Sequence, residues 1–174
     1  MRRVAMIVAL GALPGMLGGV VTASPALAGR GPKWEFLGPA KPFTLPAGIC
    51  GFKIRVSFPV NKQYGKILKT TNGSTTMLIT GRLTLSNTNL NTGKTIITNL
   101  SGPAKITTFP DGSATESAKG HTGYLLSPAH AKRLGIPRLG VTAGTQTISL
   151  APDGSVTSFS LHGHVLVDIC GALS

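Results

Sequence analysis

Apolar and polar residues alternate one by one along most of the chain, and this period of two constrains the fold more than any other feature. The clearest case is the segment 49–58, where lysine, arginine and serine fill the positions between apolar residues. Such alternation predicts a strand with one buried face and one cationic face in water. The residues that would share the buried face are Cys50, Phe52, Ile54, Val56 and Phe58.

Further alternating segments follow at short spacing, and together they predict about seven or eight strands in one all-β domain. Turn residues separate them, including Asn72-Gly73 and the Pro-Asp-Gly turns at 110–112 and 152–154. Pro59 is expected to end the first strand. The other strand segments are 66–70, 75–86, 94–100, 104–109, 113–126, 141–150 and 155–170.

One segment departs from the period of two and predicts a short helix. Residues 127–135 begin with Ser127, a good N-cap residue, and Pro128 follows at the first helical position. Lys132 stands near the end and Gly135 closes the segment, as is typical of a helix C-terminus. The predicted architecture is therefore all-β with one short helix.

The chain contains two cysteines, Cys50 and Cys170, one near each end of a predicted single domain at 49–174. An even count in an exported protein predicts a disulfide, and the spacing does not fit a zinc site. The bridge would join the first long strand to the last, so we predict an antiparallel β-barrel, with a β-sandwich as the alternative. Cys170 has the polar parity of its strand, so the end of that strand must bulge or twist.

The first 28 residues have the pattern of a cleaved export signal. Arg2 and Arg3 precede an apolar stretch, and Ala26-Leu27-Ala28 fits a signal-peptidase site. Residues 29–48 then read as an extended lead-in rich in Pro and Gly. No later segment is apolar enough to span a bilayer. We therefore expect a secreted product whose mature chain has no transmembrane segment.

Short turn and cysteine motifs recur along the domain. They are FTLPAG at 43–48, ICGF at 49–52, NTGK at 91–94, NLSGP at 99–103, PDGS at 110–113 and DICGAL at 168–173. Together they resemble a group of small exported all-β proteins of actinobacteria, over most of residues 43–174. The resemblance implies export and an all-β fold. The group carries no assigned activity, so the resemblance implies no functional residues.

Positive charge is the strongest functional feature of the sequence. Lys and Arg number 17 against 5 Asp and Glu, a formal net charge of +12, and no acidic residue lies between Phe36 and Pro110. Such a field attracts polyanions, although the same charge can serve solubility alone. An anionic cell-envelope polymer fits better than nucleic acid, because the product is exported and stacking aromatics are scarce. The candidate polyanion-binding residues are Lys53, Arg55, Lys62, Lys66 and Lys69.

The sequence offers one weak candidate for a metal site, the pair His162 and His164. Alternate residues of a strand point to one face, as metal-binding His-x-His pairs do. His121 is a candidate third ligand, but its spacing does not bring it to the pair. Leu161 and Val165 are expected to occupy the buried face of the strand. We therefore expect both histidines of the pair to be exposed to solvent and predict no bound metal. No nucleophile elbow, phosphate loop or zincin motif occurs, and we predict no catalytic residue and no cofactor.

Three functional hypotheses follow from these patterns. The leading one is a secreted, non-catalytic β-domain that associates with anionic cell-envelope polymers through its basic face. The alternative is a barrel-type carrier of a small apolar ligand, which requires a hollow interior. The third is a metal-dependent enzyme centred on His162 and His164. The sequence does not indicate an oligomeric state.

Overall fold

The computed structural model of the protein describes residues 32–69 and 72–174, and nine strands and two helices occupy this part of the chain. The first four strands are β1 (Glu35–Phe36), β2 (Phe43–Leu45), β3 (Ile54–Lys69) and β4 (Thr75–Asn89). The next three are β5 (Thr95–Asn99), β6 (Ala104–Thr108) and β7 (Ala114–Leu125). The remaining elements are α1 (Pro128–Leu134), β8 (Leu139–Leu150), β9 (Val156–Asp168) and α2 (Ile169–Leu173).

All nine strands belong to one antiparallel sheet, so the predicted all-β antiparallel class is confirmed. The strand order is β1-β3-β4-β6-β7-β8-β9, while β2 also pairs with β3 and β5 also pairs with β4. The predicted barrel is wrong, because in the described chain β9 pairs with β8 alone. The edge of β3 that closure would offer to β9 is already occupied by β1 and β2. The hypothesis of a barrel-type carrier of an apolar ligand required a closed barrel with a hollow interior, and the open sheet does not supply one.

Hydrophobic packing joins the two ends of the sheet where backbone pairing does not. The largest cluster combines buried side chains from β2, β3 and β4 with others from β8 and α2, so these elements share one hydrophobic layer. Burial of this apolar surface is the main force that holds the two ends of the sheet together. The buried members on the long strands and α2 are Ile54, Val56, Leu83, Leu85, Leu139, Val141, Ile169 and Leu173.

The C-terminal helix α2 is fastened to this layer by covalent and polar contacts. The predicted disulfide is confirmed: Cys50 is bonded to Cys170 across 120 residues of sequence. The amide Nδ2 of Asn89 donates to the carbonyl of Leu173 at 3.0 Å. The final strand ends earlier than predicted, because Asp168 caps α2 by accepting a hydrogen bond from the Gly171 amide at 3.1 Å. Cys170 therefore lies on a helix, and its parity on a strand does not matter.

The first long strand also differs from its prediction. Residues 47–50 form a turn in which the Gly51 amide donates to the Ala47 carbonyl at 2.7 Å, so β3 begins only at Ile54. The strand then passes through Pro59 instead of ending there. The register with β4 shifts between Ser57 and Val60, so Pro59 lies in a β-bulge where no ladder hydrogen bond is required of it.

The short helix α1 is confirmed together with its capping residues. The Ser127 hydroxyl accepts a hydrogen bond from the His130 amide at 3.2 Å, and Pro128 occupies the first turn. Gly135 ends the helix at φ 65°, a left-handed conformation that glycine adopts without strain. Ala131 packs α1 onto a second hydrophobic cluster, which includes Phe159 of β9.

The predicted export signal at 1–28 lies outside the described residues. The lead-in predicted at 29–48 is described from residue 32 onward and contains β1 and β2, which pair along β3. Within the described chain, neither helix has the length and apolarity needed to cross a membrane.

Candidate functional site

The register of β3, β4 and β6 gathers cations from three strands onto one surface of the sheet, here called the basic face. Lys62 lies directly opposite Arg82. Lys66 lies opposite Leu78, which pairs on its other side with Lys105 of β6. Directly paired residues project from the same side of a sheet, so the four cations share one side. The basic face is defined by Lys62, Lys66, Arg82 and Lys105.

A β-bulge places Arg55 on the same side of the sheet as the basic face. Arg55 and Lys62 are seven residues apart, so in a regular strand they would point to opposite sides. The bulge at 57–60 adds one residue to β3, and Arg55 pairs with Thr88 while Lys62 pairs with Arg82. Thr88 and Arg82 are six residues apart on β4 and share a side. Arg55 therefore projects from the side of the basic face.

The structure brings together some of the predicted polyanion-binding cations and adds two more. Lys53 is exposed just before β3, and Lys69 ends the strand at its far tip. Arg82 and Lys105 lie in the acid-free stretch of sequence but outside the segment 53–69 that holds the five predicted cations. Only the strand register assigns these two residues to this surface. The predicted cations that share the side of the basic face are Arg55, Lys62 and Lys66.

No acidic side chain lies on the basic face, because each of the five acidic residues has another position. Glu35 pairs with Gly65, whose strand neighbours project from the basic side, so Glu35 projects from the opposite side. Asp111 and Asp153 lie in turns, and Asp168 caps α2. Glu116 is next to Ser117, the partner of Lys105, and projects from the opposite side. The charge of the basic face is therefore balanced by solvent ions or by a ligand.

Exposed aromatic rings lie beside these cations. Tyr64 stands between Lys62 and Lys66 on β3, and Phe36 of β1 pairs with it directly. Their ring centroids are 5.8 Å apart with the planes tilted by 57°. Trp34 lies two residues before Phe36 and is also exposed. The surface therefore combines positive charge with apolar ring faces.

Of the candidate metal ligands, His121 lies on β7, and His162 and His164 lie on β9. His164 pairs with Ala143 of β8, and His121 pairs with the same Ala143 from the other side. Two strand spacings separate these histidines, roughly 10 Å between their backbones. His162 and His164 are both exposed. Among the described residues, no three His, Cys, Asp or Glu side chains lie close enough together to hold a metal ion.

The glycine between the two histidines has a structural role. Gly163 pairs with Gly144 of β8, and both have positive φ values, 154° and 131°. A Cβ on Gly163 would collide with the Ala143 carbonyl, and one on Gly144 would collide with the His162 carbonyl. The two backbones approach closely here, and only glycine permits that approach. Strand packing therefore explains the glycine between the two histidines.

Glu116 is a buried carboxyl that the sequence analysis does not single out. It is 3 % exposed, and its Oε1 atom has no hydrogen-bond partner. Its cross-strand neighbours are Ile106 of β6 and Ile148 of β8. Loss of hydration raises the pKa of Glu116 from 4.5 to about 7. No sequence pattern marks this position, because only the strand register shows that the carboxyl enters the apolar side.

Comparison with known proteins identifies no relative: no family model matches the chain, and neither the curated proteins nor the solved structures include a significant match. The resemblance to exported actinobacterial proteins stays a prediction.

Proposed function

We propose that this protein is an exported, non-catalytic β-domain that binds anionic cell-envelope polymers through its basic face. The observation that carries the proposal is the direct pairing of Lys62 with Arg82. Like charges directly opposite each other destabilise a sheet, and here no acidic side chain on the same face offsets the repulsion. A bound polyanion would neutralise both cations and release the ions that screen them.

The disulfide supports the extracytoplasmic part of the proposal. Disulfides persist in oxidising compartments and are rare in the cytosol. The Cys50–Cys170 bridge, the export signal predicted at 1–28 and the net charge of +12 are consistent with a protein that meets anionic polymers outside the membrane. We therefore place the protein at the cell envelope or in the surrounding medium.

Charge reversal on the basic face is expected to weaken retention on purified cell walls at low salt by about tenfold or more. The test variant is Lys62→Glu/Arg82→Glu, which replaces one pair of like charges with another and so keeps the repulsion within the pair. Retention is measured by co-sedimentation of the wild-type and variant proteins with cell walls.

The matched control reverses two cations in the last turn of α1, with the variant Lys132→Glu/Arg133→Glu. Both residues are exposed and belong to a different surface. The control has the same net charge as the test variant, so it separates position from total charge. Equal losses from the two variants, or no retention of wild type, would contradict a binding role for the basic face.

A further inference from the structure

The aromatic rings of the basic face indicate the chemistry of its ligand. We propose that the ligand is an anionic polysaccharide, whose sugar rings stack on Tyr64 and Phe36 while its acidic groups contact Lys62 and Lys66. This inference rests on the proposed function, which requires only a polyanion, and narrows the ligand to a polymer of charged sugars.

Exposed aromatic surface is concentrated beside the basic face. Aromatic residues make up 5 % of the chain. Three of them nevertheless lie exposed on or just before β1 and at its partner position on β3: Phe36 is 53 % exposed, Trp34 47 % and Tyr64 45 %. Large aromatic side chains are normally buried, and exposed apolar groups that cluster together mark interaction sites.

An aromatic ring and positive charges alternate along β3. Lys62 and Lys66 each lie two residues from Tyr64 on the same side of β3, about 7 Å away along the strand. One face of a pyranose ring carries C–H groups that pack against a flat aromatic ring, while carboxylate or phosphate groups project from the rim. A chain of acidic sugars can therefore place a ring on Tyr64 and its charges on the neighbouring lysines.

Charged sugars fit this surface better than other polyanions do. A polyanion without rings, such as polyphosphate, would contact the cations and leave the aromatic surface in water. Single-stranded nucleic acid combines charge with stacking bases, but it is not a typical ligand in an oxidising compartment, which the disulfide favours for this protein. An anionic polysaccharide is the class that uses both features in that compartment.

The test compares two probes on the exported form of the protein at one low salt concentration. Polygalacturonate is the acidic polysaccharide, and polyphosphate is the polyanion without rings. The variant Phe36→Ala/Tyr64→Ala is expected to bind polygalacturonate about tenfold more weakly, because stacked rings contribute strongly to affinity. Its affinity for polyphosphate should stay unchanged. The control is Phe109→Ala, which removes a ring that is 40 % exposed in the connection between β6 and β7.

A second readout uses the wild-type protein alone, so it does not depend on whether a variant folds. Trp34 is the only tryptophan of the chain, so its fluorescence reports on this surface alone. Polygalacturonate should shift or quench the Trp34 emission of the wild-type protein, and polyphosphate should leave it nearly unchanged.

The outcomes separate this inference from the proposed function. Wild-type protein that binds neither probe would overturn both. Equal binding of both probes, with no effect of Phe36→Ala/Tyr64→Ala and no change in Trp34 emission, would overturn the polysaccharide and leave the basic face as a general polyanion site. Tighter binding of single-stranded oligothymidine than of polygalacturonate would also overturn it.

Discussion

Removal of the Cys50–Cys170 bridge is expected to lower the free energy of unfolding by about 5 kcal/mol. The bridge spans 120 residues, so it closes nearly the whole described domain into one loop and restricts the unfolded chain strongly. In the chain-entropy model, a loop of about this length gives a stabilisation of this size. The measurement is urea unfolding of Cys50→Ser/Cys170→Ser beside the wild-type protein.

Wild-type protein unfolded in the presence of a reductant should reproduce the stability of the double variant. The polar contacts of α2, including the hydrogen bond from Asn89 to Leu173, are present in both proteins, so the difference between them reports on the bridge. A double variant within about 1 kcal/mol of wild type would contradict the stabilising role that we give to the disulfide.

Replacement of the buried carboxyl of Glu116 is expected to stabilise the protein by about 3 kcal/mol at pH 8. The folded state holds the pKa of Glu116 at about 7, whereas its ordinary value is 4.5. Each pKa unit corresponds to about 1.4 kcal/mol of difference between the protonation states. Above pH 7 the folded protein must therefore bury an unpaired charge, and Glu116→Leu removes that cost.

The sign of this pH dependence follows from the direction of the shift. Below pH 4.5 the carboxyl is protonated and uncharged in both the folded and the unfolded chain, so the folded state pays no cost for a buried charge. As the pH rises from 4.5 to 7, the unfolded chain loses the proton first, and the folded state becomes less stable. Above pH 7 the loss is complete and stays constant.

The experiment is a series of unfolding curves at pH values between 4 and 8 for wild type, Glu116→Leu and Glu116→Gln. Both variants should lack the fall in stability between pH 4.5 and 7 that wild type shows. Glu35→Gln is the control, because Glu35 is exposed, and its curve should run parallel to that of wild type. A wild-type stability that rises over this range relative to both Glu116 variants would show that the carboxyl is paired in solution.

Local signals in the sequence predict several elements because the physical cause lies within a few residues. Ser127, Pro128 and Gly135 determine the bounds of α1 through capping and backbone preferences. The two Pro-Asp-Gly turns also form where they are predicted, between β6 and β7 and between β8 and β9. The alternating pattern does not predict the five-residue helix α2, although the sequence contains its N-cap residue, Asp168.

Other features depend on how distant segments meet, and the sequence does not reveal them. The bulge at 57–60 decides on which side Arg55 projects, and Pro59 alone suggests a strand end instead. A two-residue turn at Asn72-Gly73 would pair Lys62 with Leu83. The observed register, in which β3 ends at Lys69 and β4 begins at Thr75, pairs Lys62 with Arg82. A shift of one residue in the register between β3 and β4 would therefore place the cations of the two strands on opposite sides of the sheet.

The open form of the sheet also depends on how distant segments of the chain meet. A disulfide between the two ends of the domain is compatible with hydrogen-bonded pairing of the first and last strands. It is equally compatible with contact through side chains alone, and the sequence does not distinguish these two arrangements. In the structure β1 and β2 take the edge of β3, and the hydrophobic layer around α2 joins the ends instead. The burial of Glu116 is a consequence of the same register, which places an acidic residue among isoleucines.

Binding to purified cell walls is expected to weaken steeply as the salt concentration rises, because released counterions then drive association less. Each cation that displaces a counterion contributes roughly one unit to the slope of log affinity against log salt concentration. The four cations of the basic face predict a slope of about −3 to −4 for wild type, and Lys62→Ala/Arg82→Ala should make that slope shallower by about two units. A wild-type slope near zero, or an unchanged slope in this variant, would contradict the account.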